Sequence, residues 1–515
     1  MNARTDDNAA WWYLDRHLSL NTADALCLIV DDEELTYRQL HGRVGQAARV
    51  LAGSGVAPGD RVVIILRDGV EPVSAVLAAM RVGAVPVPVS PVLTCDDHRY
   101  IIADCGARAV LVEEARGDLV ADFADRFPDT LLWSRGPAQG SVRCWTDEVG
   151  TAEPLDETEP RGAGDDALIQ YTSGSTGEPK GVVHLHGGLL AFPQGFGKHL
   201  GITSEDRFLS TAKLPFGYGF GNSLLLPFSV GASAVLFPGR AEPHAVAALL
   251  RRTRPTLLFA VPTLYAALLG MPQASERLDF SSVRLAVSAG EHLGAHLSSR
   301  LTETFGLTMV NGLGATECLH IFIATEPGVS RPGVTGVCVS GFDAEVRNDD
   351  GSPLDPGETG HLHVGGAGVA DRYWNRPEAS AETFRDGWVR TGDTMMYDRD
   401  DGWIYLGRSD NIINVGGMKV FPADVEDEIA RVPGVDSCAV VGIPDENEVV
   451  HITAYVVPEE GQQEVVNDRV LAAVRRALPP YKRPRTIRVV PALPTTSTGK
   501  TAHWLIRRQE TERRS

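Results

Sequence analysis

At 515 residues, 43% hydrophobic and 22% charged, the chain exceeds one ordinary domain and has the balance of a soluble globular protein: a large body plus at least one smaller unit. Its net charge of -19 argues against a general nucleic-acid or anionic-membrane surface, both of which reward positive charge, while leaving room for a local basic pocket. Seven scattered cysteines without a CxxC pair argue against a zinc knuckle or a disulfide framework. The start, MNARTDDNAAWWYL, lacks the layout of a signal peptide, and the most apolar stretch, SLLLPFSVGASAVLF, is too short to span a bilayer and contains a proline. A reduced, cytoplasmic protein is expected, with no membrane and no nucleic acid among its partners.

In chain order, RVVIIL (Arg61 to Leu66) reads as a buried strand, EPVSAVLAAMRVG (Glu71 to Gly83) as a helix and AVPVPVS as a strand. ARAVLVE (Ala107 to Glu113) and SAVLFPG (Ser233 to Gly239) repeat the strand type. VRLAVSAG (Val283 to Gly290) is expected to run directly into a helix, EHLGAHLSSRLTETFG. This alternation predicts an α/β fold of right-handed βαβ units with parallel sheets and ligands at the strand C-terminal ends. From about Val334 short strands with Gly, Asp and Pro turns, such as GHLHVGGAG and DGWIYLG, predict an antiparallel or barrel section. After Arg408, DVEDEIARV reads as a helix, DSCAVVGI and HITAYVVP as strands, and DRVLAAVRRALP as an amphipathic helix. The expected division is a large domain, 1–409, and a small α+β domain, 410–515.

YTSGSTGEPKG, Tyr171 to Gly181, has the glycines and hydroxyls of a phosphate cradle. It breaks the Walker register, because Lys180 follows Pro179 and precedes Gly181. A flexible surface loop is the bland alternative. Four further segments follow: NGLGATE (Asn311 to Glu317), YWNRPEASAETF with GWVRTGD, GRSDNIINVGGMKVFPADVE, and PTTSTGK ending at Lys500. With these five motifs in order, the chain resembles the adenylate-forming superfamily of acyl- and aryl-CoA ligases, peptide-synthetase adenylation domains and luciferases.

The resemblance implies attack of a carboxylate on the α-phosphorus of ATP, for which a site must supply positive charge and in-line placement. It assigns Thr172, Ser173, Gly174, Ser175, Thr176, Gly177 and Lys180 to the phosphates, Thr316 to the α-phosphate and Glu317 to Mg²⁺. Asn311, Gly312 and Leu313 would meet adenine, Leu313 standing where relatives use an aromatic, while Asp393 and Arg408 would hold the ribose. Lys500 would bridge carboxylate and α-phosphate; His503 departs from the arginine that the family often has at that position. For thioester formation the small domain would turn about Asp410 and bring Gly416 and Gly417 to a pantetheine tunnel, with Arg475, Arg476, Lys482 and Arg483 as candidates for the outer phosphates of coenzyme A.

AKLPFGYGFGN, VVHLH, VSAGE and CLHIF are most similar to the benzoate-CoA ligase branch. This places Phe216, Gly217, Tyr218, Ser288, Ala289, Gly290, Leu313 and His320 around an aryl ring. The absence of an aspartate from PFGYG argues against an α-amino acid. Gly217, where relatives tend to have alanine, suggests extra room for a hydroxy- or amino-substituted benzoate, with His320 or Tyr218 touching the substituent. The implied partners are a small aromatic acid, CoA or a separate carrier protein, and a second copy in a homodimer. A stand-alone aryl-acid adenylating enzyme, a luciferase-like monooxygenase and an inactive binding homologue are the competing readings.

Overall fold

The computed structural model describes residues 7–114, 117–120, 123–138, 140–172, 178–329, 334–415, 418–445, 450–463, 465–495 and 501–512. Ser173, Gly174, Ser175, Thr176, Gly177, Gly416, Gly417 and Lys500 lie outside the described residues, as does the side chain of Asp410.

Two parallel sheets form the body. Arg61–Ile65, Val85–Pro88, Ala109–Val112, Leu131–Ser134 and Arg143–Cys144 make a five-stranded, all-parallel sheet. Its first crossover is the helix Val70–Arg81, apolar on nearly every side and buried accordingly. The larger sheet has nine strands and runs Val337–Cys338, Ile321–Ala324, Met309–Gly314, Leu285–Ala289, Leu257–Ala260, Arg207–Ser210, Ser233–Leu236, Leu26–Val30, Glu33–Thr36. Its six inner strands are parallel, with antiparallel pairing only toward the edges. Strands such as LAVSA and LLFA are continuous apolar runs because both faces of this sheet are covered.

A third, three-stranded antiparallel sheet lies between these bodies. Asp166–Tyr171 pairs with Gly181–Leu185, which pairs in turn with Arg372–Tyr373. Asp166–Tyr171 precedes the phosphate loop and Gly181–Leu185 follows it, so the loop joins the arms of a hairpin. The Gly- and Asp-rich region is a five-stranded antiparallel sheet containing Phe342–Arg347, Thr359–Gly366, Trp388–Asp398 and Gly402–Arg408. Beyond it, Val435–Pro444, Val450–Pro458 and Thr486–Val489 form a sheet covered by Pro422–Ala430 and Val466–Ala477, with an apolar core of its own.

One expected junction differs. The Leu285–Ala289 strand does not run straight into a helix, which begins only at Ala295. Gly290 takes φ +89° and the intervening residues turn outward, where Glu291 and His292 meet other segments. Among the described residues no helix is long and apolar enough to cross a membrane.

Candidate active site

The C-terminal ends of the inner strands open into one cavity of ≈ 1970 Å³, walled also by the phosphate hairpin, the Gly402–Arg408 strand and the C-terminal segment. The hairpin loop is closed at its base by the Thr172 amide donating to the Lys180 carbonyl at 2.9 Å. Behind it Tyr171 donates to Asp104 at 2.6 Å, and Arg376 pairs with the same carboxylate at 3.1 Å. Tyr171, which precedes the loop, is therefore tied to Asp104 and through it to Arg376.

Thr316 and Glu317 occupy a single 3-10 turn, Thr316–Cys318, at the end of the Met309–Gly314 strand. The Tyr373 hydroxyl donates to Glu317 Oε1 at 2.6 Å, and the Lys180 ammonium lies 5.1 Å from the centre of the Tyr373 ring. Tyr373 thus fixes Glu317 and carries a cation on its face. The buried ring of His184 meets the Thr316 backbone from behind; burial holds its pKa down at about 3, so it is neutral.

Asn311 and Leu313 line the cavity, with the Asn311 backbone locked to Thr325 by an N–H···Oγ1 bond of 2.8 Å and a return bond of 2.9 Å. Gly312 packs closely, since a Cβ there would stand 2.6 Å from Ile321 Cδ1 and would force that methyl to shift. Asp393 and Arg408 are register partners on neighbouring strands and form an ion pair at 3.3 Å. Burial pushes the Asp393 carboxyl up, with Arg408 opposing. Both side chains line the cavity.

The other end of the cavity is shaped by the residues after Glu317. Leu319 has φ +67° and ψ -48°, and the His320 amide donates to the Cys318 carbonyl at 2.7 Å. This is a γ-turn at a branched residue, a strained conformation held by its surroundings. It aims the Leu319 carbonyl at Gly217, where a Cβ would lie 2.4 Å from the oxygen. The room expected at Gly217 is therefore already filled by backbone.

The same turn seats His320 among Phe192, Phe196 and Tyr218, with ring centres 4.7, 5.4 and 5.4 Å away. Its Nε2 faces two acceptors, Asn222 Oδ1 at 3.0 Å and the Tyr218 carbonyl at 3.2 Å, so Nε2 carries the proton. Burial lowers its pKa to about 3. Tyr218 donates its hydroxyl to the Val287 carbonyl at 3.0 Å. Phe216, Ala289 and Gly290 complete this wall. Ser288 is not on it: strand alternation buries it on the face opposite Ala289, and its Oγ has no hydrogen-bond partner.

Thr495 and Thr501 pair with each other, and both line the cavity, so the ends of the segment carrying Lys500 are at its mouth. The Thr501 amide donates to Glu291 Oε1 at 2.9 Å, while Thr263 donates to Oε2 at 2.6 Å. His292 meets Asp427 at 3.4 Å; burial alone would lower its pKa, but Asp427 raises it overall. Of the candidates for coenzyme phosphates, Lys482 is paired with Asp424 at 2.5 Å and Arg483 donates to the Leu478 carbonyl at 2.8 Å, while Arg475 and Arg476 are exposed.

Three groups in the cavity wall escape a reading of motifs. Gln170 is fully buried in the Asp166–Tyr171 strand and lines the cavity. Asp68, its pKa pushed up by burial to about 6, stands 3.9 Å from Lys213, whose own pKa burial lowers. A lone amide closing the apolar run DALIQ was the available signal for the first; LRDG and AKLPFG gave none for the pair.

Residues 15–374 match the AMP-binding enzyme family, and residues 424–500 match the AMP-binding enzyme C-terminal domain. The chain is 34% identical to a benzoate–CoA ligase of Thauera aromatica, over 97% of this chain and 95% of that one. It is 33% identical to a 4-hydroxybenzoate–CoA/benzoate–CoA ligase of Rhodopseudomonas palustris, over 98% and 94%. The crystal structure of the anthranilate CoA ligase AuaEII in complex with anthranoyl-AMP superposes with a TM-score of 0.93 at 32% identity, covering 99% and 98% of the two chains. The chain belongs to the AMP-binding enzyme family, in its benzoate-CoA ligase branch.

Proposed function

We propose that this AMP-forming acid–thiol ligase activates a hydroxy- or amino-substituted benzoate as its acyl-adenylate, releasing pyrophosphate, and then transfers the aroyl group to coenzyme A. The observation that carries this reading is the cavity. It joins a nucleotide end, with Thr316, Glu317, Asp393 and Arg408, to an aromatic end around Phe216, Tyr218 and neutral His320. A flat apolar slot with few polar groups suits an aryl ring.

The hairpin loop and Lys180 would restrain the phosphates, Thr316 would donate to the α-phosphate and Asp393 would accept from the ribose hydroxyls. Glu317 fits Mg²⁺: one carboxylate oxygen receives Tyr373 and the other remains, and no cluster of three His, Cys, Asp or Glu stands together among the described residues. That donor set suits a cation taking most of its ligands from phosphate and water. When bound, the ion would neutralise phosphate charge. Lys500 would stabilise charge developing between carboxylate and phosphate. Residues 410–515 would then turn about Asp410, replacing the Lys500 segment with Gly416 and Gly417 for the thiol step.

Carboxylate-dependent ATP–pyrophosphate exchange with a panel of acids, with and without CoA, tests the reading. Exchange is expected with substituted benzoates, and aroyl-CoA with AMP when CoA is added. Release of phosphate without AMP would refute adenylation, and adenylate formation that only a carrier protein discharges would replace CoA as the acceptor.

A further inference from the structure

We propose that Gln170 reads the ring substituent of the acid, and that the preferred substrate is a benzoate carrying a ring hydroxyl; this rests on the aryl-acid reading above. Gln170 is 0% exposed, yet neither its amide nitrogen nor its amide oxygen has a hydrogen-bond partner. Its strand neighbours Leu168 and Ile169 are fully buried apolar residues. Buried polar groups are nearly always paired, so an amide with both ends idle in a cavity wall points to a partner that arrives with the ligand.

The amide lies at the aromatic end. The position that a Cβ on Gly217 would take is 3.3 Å from Gln170 Oε1, which puts the amide on the wall shared by Gly217, Leu319 and His320. The Tyr218 and His320 donors on that wall are committed. The Tyr218 hydroxyl is donated to Val287, and the His320 Nε2 proton faces Asn222 and the Tyr218 carbonyl. His320 Nδ1 is left as an idle acceptor only. Gln170 therefore adds to this wall both an idle donor and an idle acceptor.

That pair selects among substituents. A ring hydroxyl can donate to Oε1 and accept from Nε2–H. An aromatic amine donates equally well, but its lone pair is delocalised into the ring, so it leaves Nε2–H unpaired. An unsubstituted ring leaves both ends unpaired in a site that is closed to water. Sites built to bond a substrate hydroxyl discriminate strongly against analogues lacking it. The amide carries no charge, so the hydroxyl binds in its neutral form, as expected for a phenol with pKa near roughly 10 at neutral pH.

The test measures kcat/KM for pyrophosphate exchange on the full-length enzyme with benzoate, the three hydroxybenzoates, 2-aminobenzoate and decanoate. Wild type, Gln170→Met and Gln170→Leu are compared, their folding checked by thermal unfolding. The wild type is expected to prefer one hydroxybenzoate over benzoate by about 10²-fold. In either folded variant that ratio should fall by about 10-fold or more, the hydroxybenzoate value dropping further than the benzoate value. A wild type that uses benzoate as well as every hydroxybenzoate overturns the proposal without recourse to any variant. An unchanged ratio in a folded variant also overturns it, and leaves the aryl-acid reading standing. Exchange with decanoate and with no aromatic acid overturns that reading and this proposal together.

Discussion

Asp393 sits 3% exposed at the cavity edge, and its partner Arg408 has a side chain 44% exposed. Burial raises the carboxyl's pKa while the guanidinium opposes it, so a carboxylate here needs further donors to be comfortable. Ribose hydroxyls would be such donors, each bond to a charged acceptor worth about 1.5–3 kcal/mol. Asp393→Ala is therefore expected to raise the KM for ATP by about 10- to 100-fold in pyrophosphate exchange, with a smaller change in the KM for the acid. An equal loss for both substrates would mean a general collapse of the cavity. Asp393 and Glu317 stand out in the sequence through RTGD and GATE, and both line the cavity. The partner that holds Glu317, Tyr373, begins a quoted motif, but its task depends on a contact 56 residues away. Gln170 left only a faint trace, a lone amide closing an apolar strand, and only three-dimensional burial reveals that it is unpaired.

At the scale of elements, His320 is positioned by irregular backbone. Pro193–Gly197 and Gly221–Leu225 are π-helical turns, a form frequent at functional sites, and both pack against the imidazole or the rings around it. A Cβ on Gly221 would stand 2.3 Å from His320 Cδ2. Gly221→Ala must therefore displace the ring from its seat among Phe192, Phe196 and Tyr218, with overpacking of about 1–3 kcal/mol. The expected result is a KM for the aryl acid about 10-fold higher or more, with the KM for ATP little moved, read from exchange kinetics. Strands and long helices were legible because apolar periodicity reports burial directly. These turns were not, since a π-turn and a γ-turn are set by tertiary packing. The delayed helix start at Ala295 has the same origin: Glu291 and His292 serve contacts to Thr263, Thr501 and Asp427 that no local propensity encodes.

At the scale of the molecule, the proposed function asks one cavity to serve two reactions that need different groups at the same place. Alternation of strands and helices, then a Gly-rich antiparallel region, then a short α+β stretch, was enough to outline the architecture. The placement of Thr495 and Thr501 at the cavity was not legible, because polar contacts such as Thr501 to Glu291 hold that segment there. Thr495 and Thr501 line the cavity whereas Val415 and Met418 do not, the arrangement suited to the adenylating step. The deciding measurement is on Lys500→Ala, assayed separately for pyrophosphate exchange with a hydroxybenzoate and for thioester formation from supplied hydroxybenzoyl-adenylate and CoA. Exchange should fall by about 10²- to 10³-fold or more while thioester formation persists near the wild-type rate. Retained exchange, or loss of both reactions together, would contradict a cavity shared in turn by two segments of the small domain.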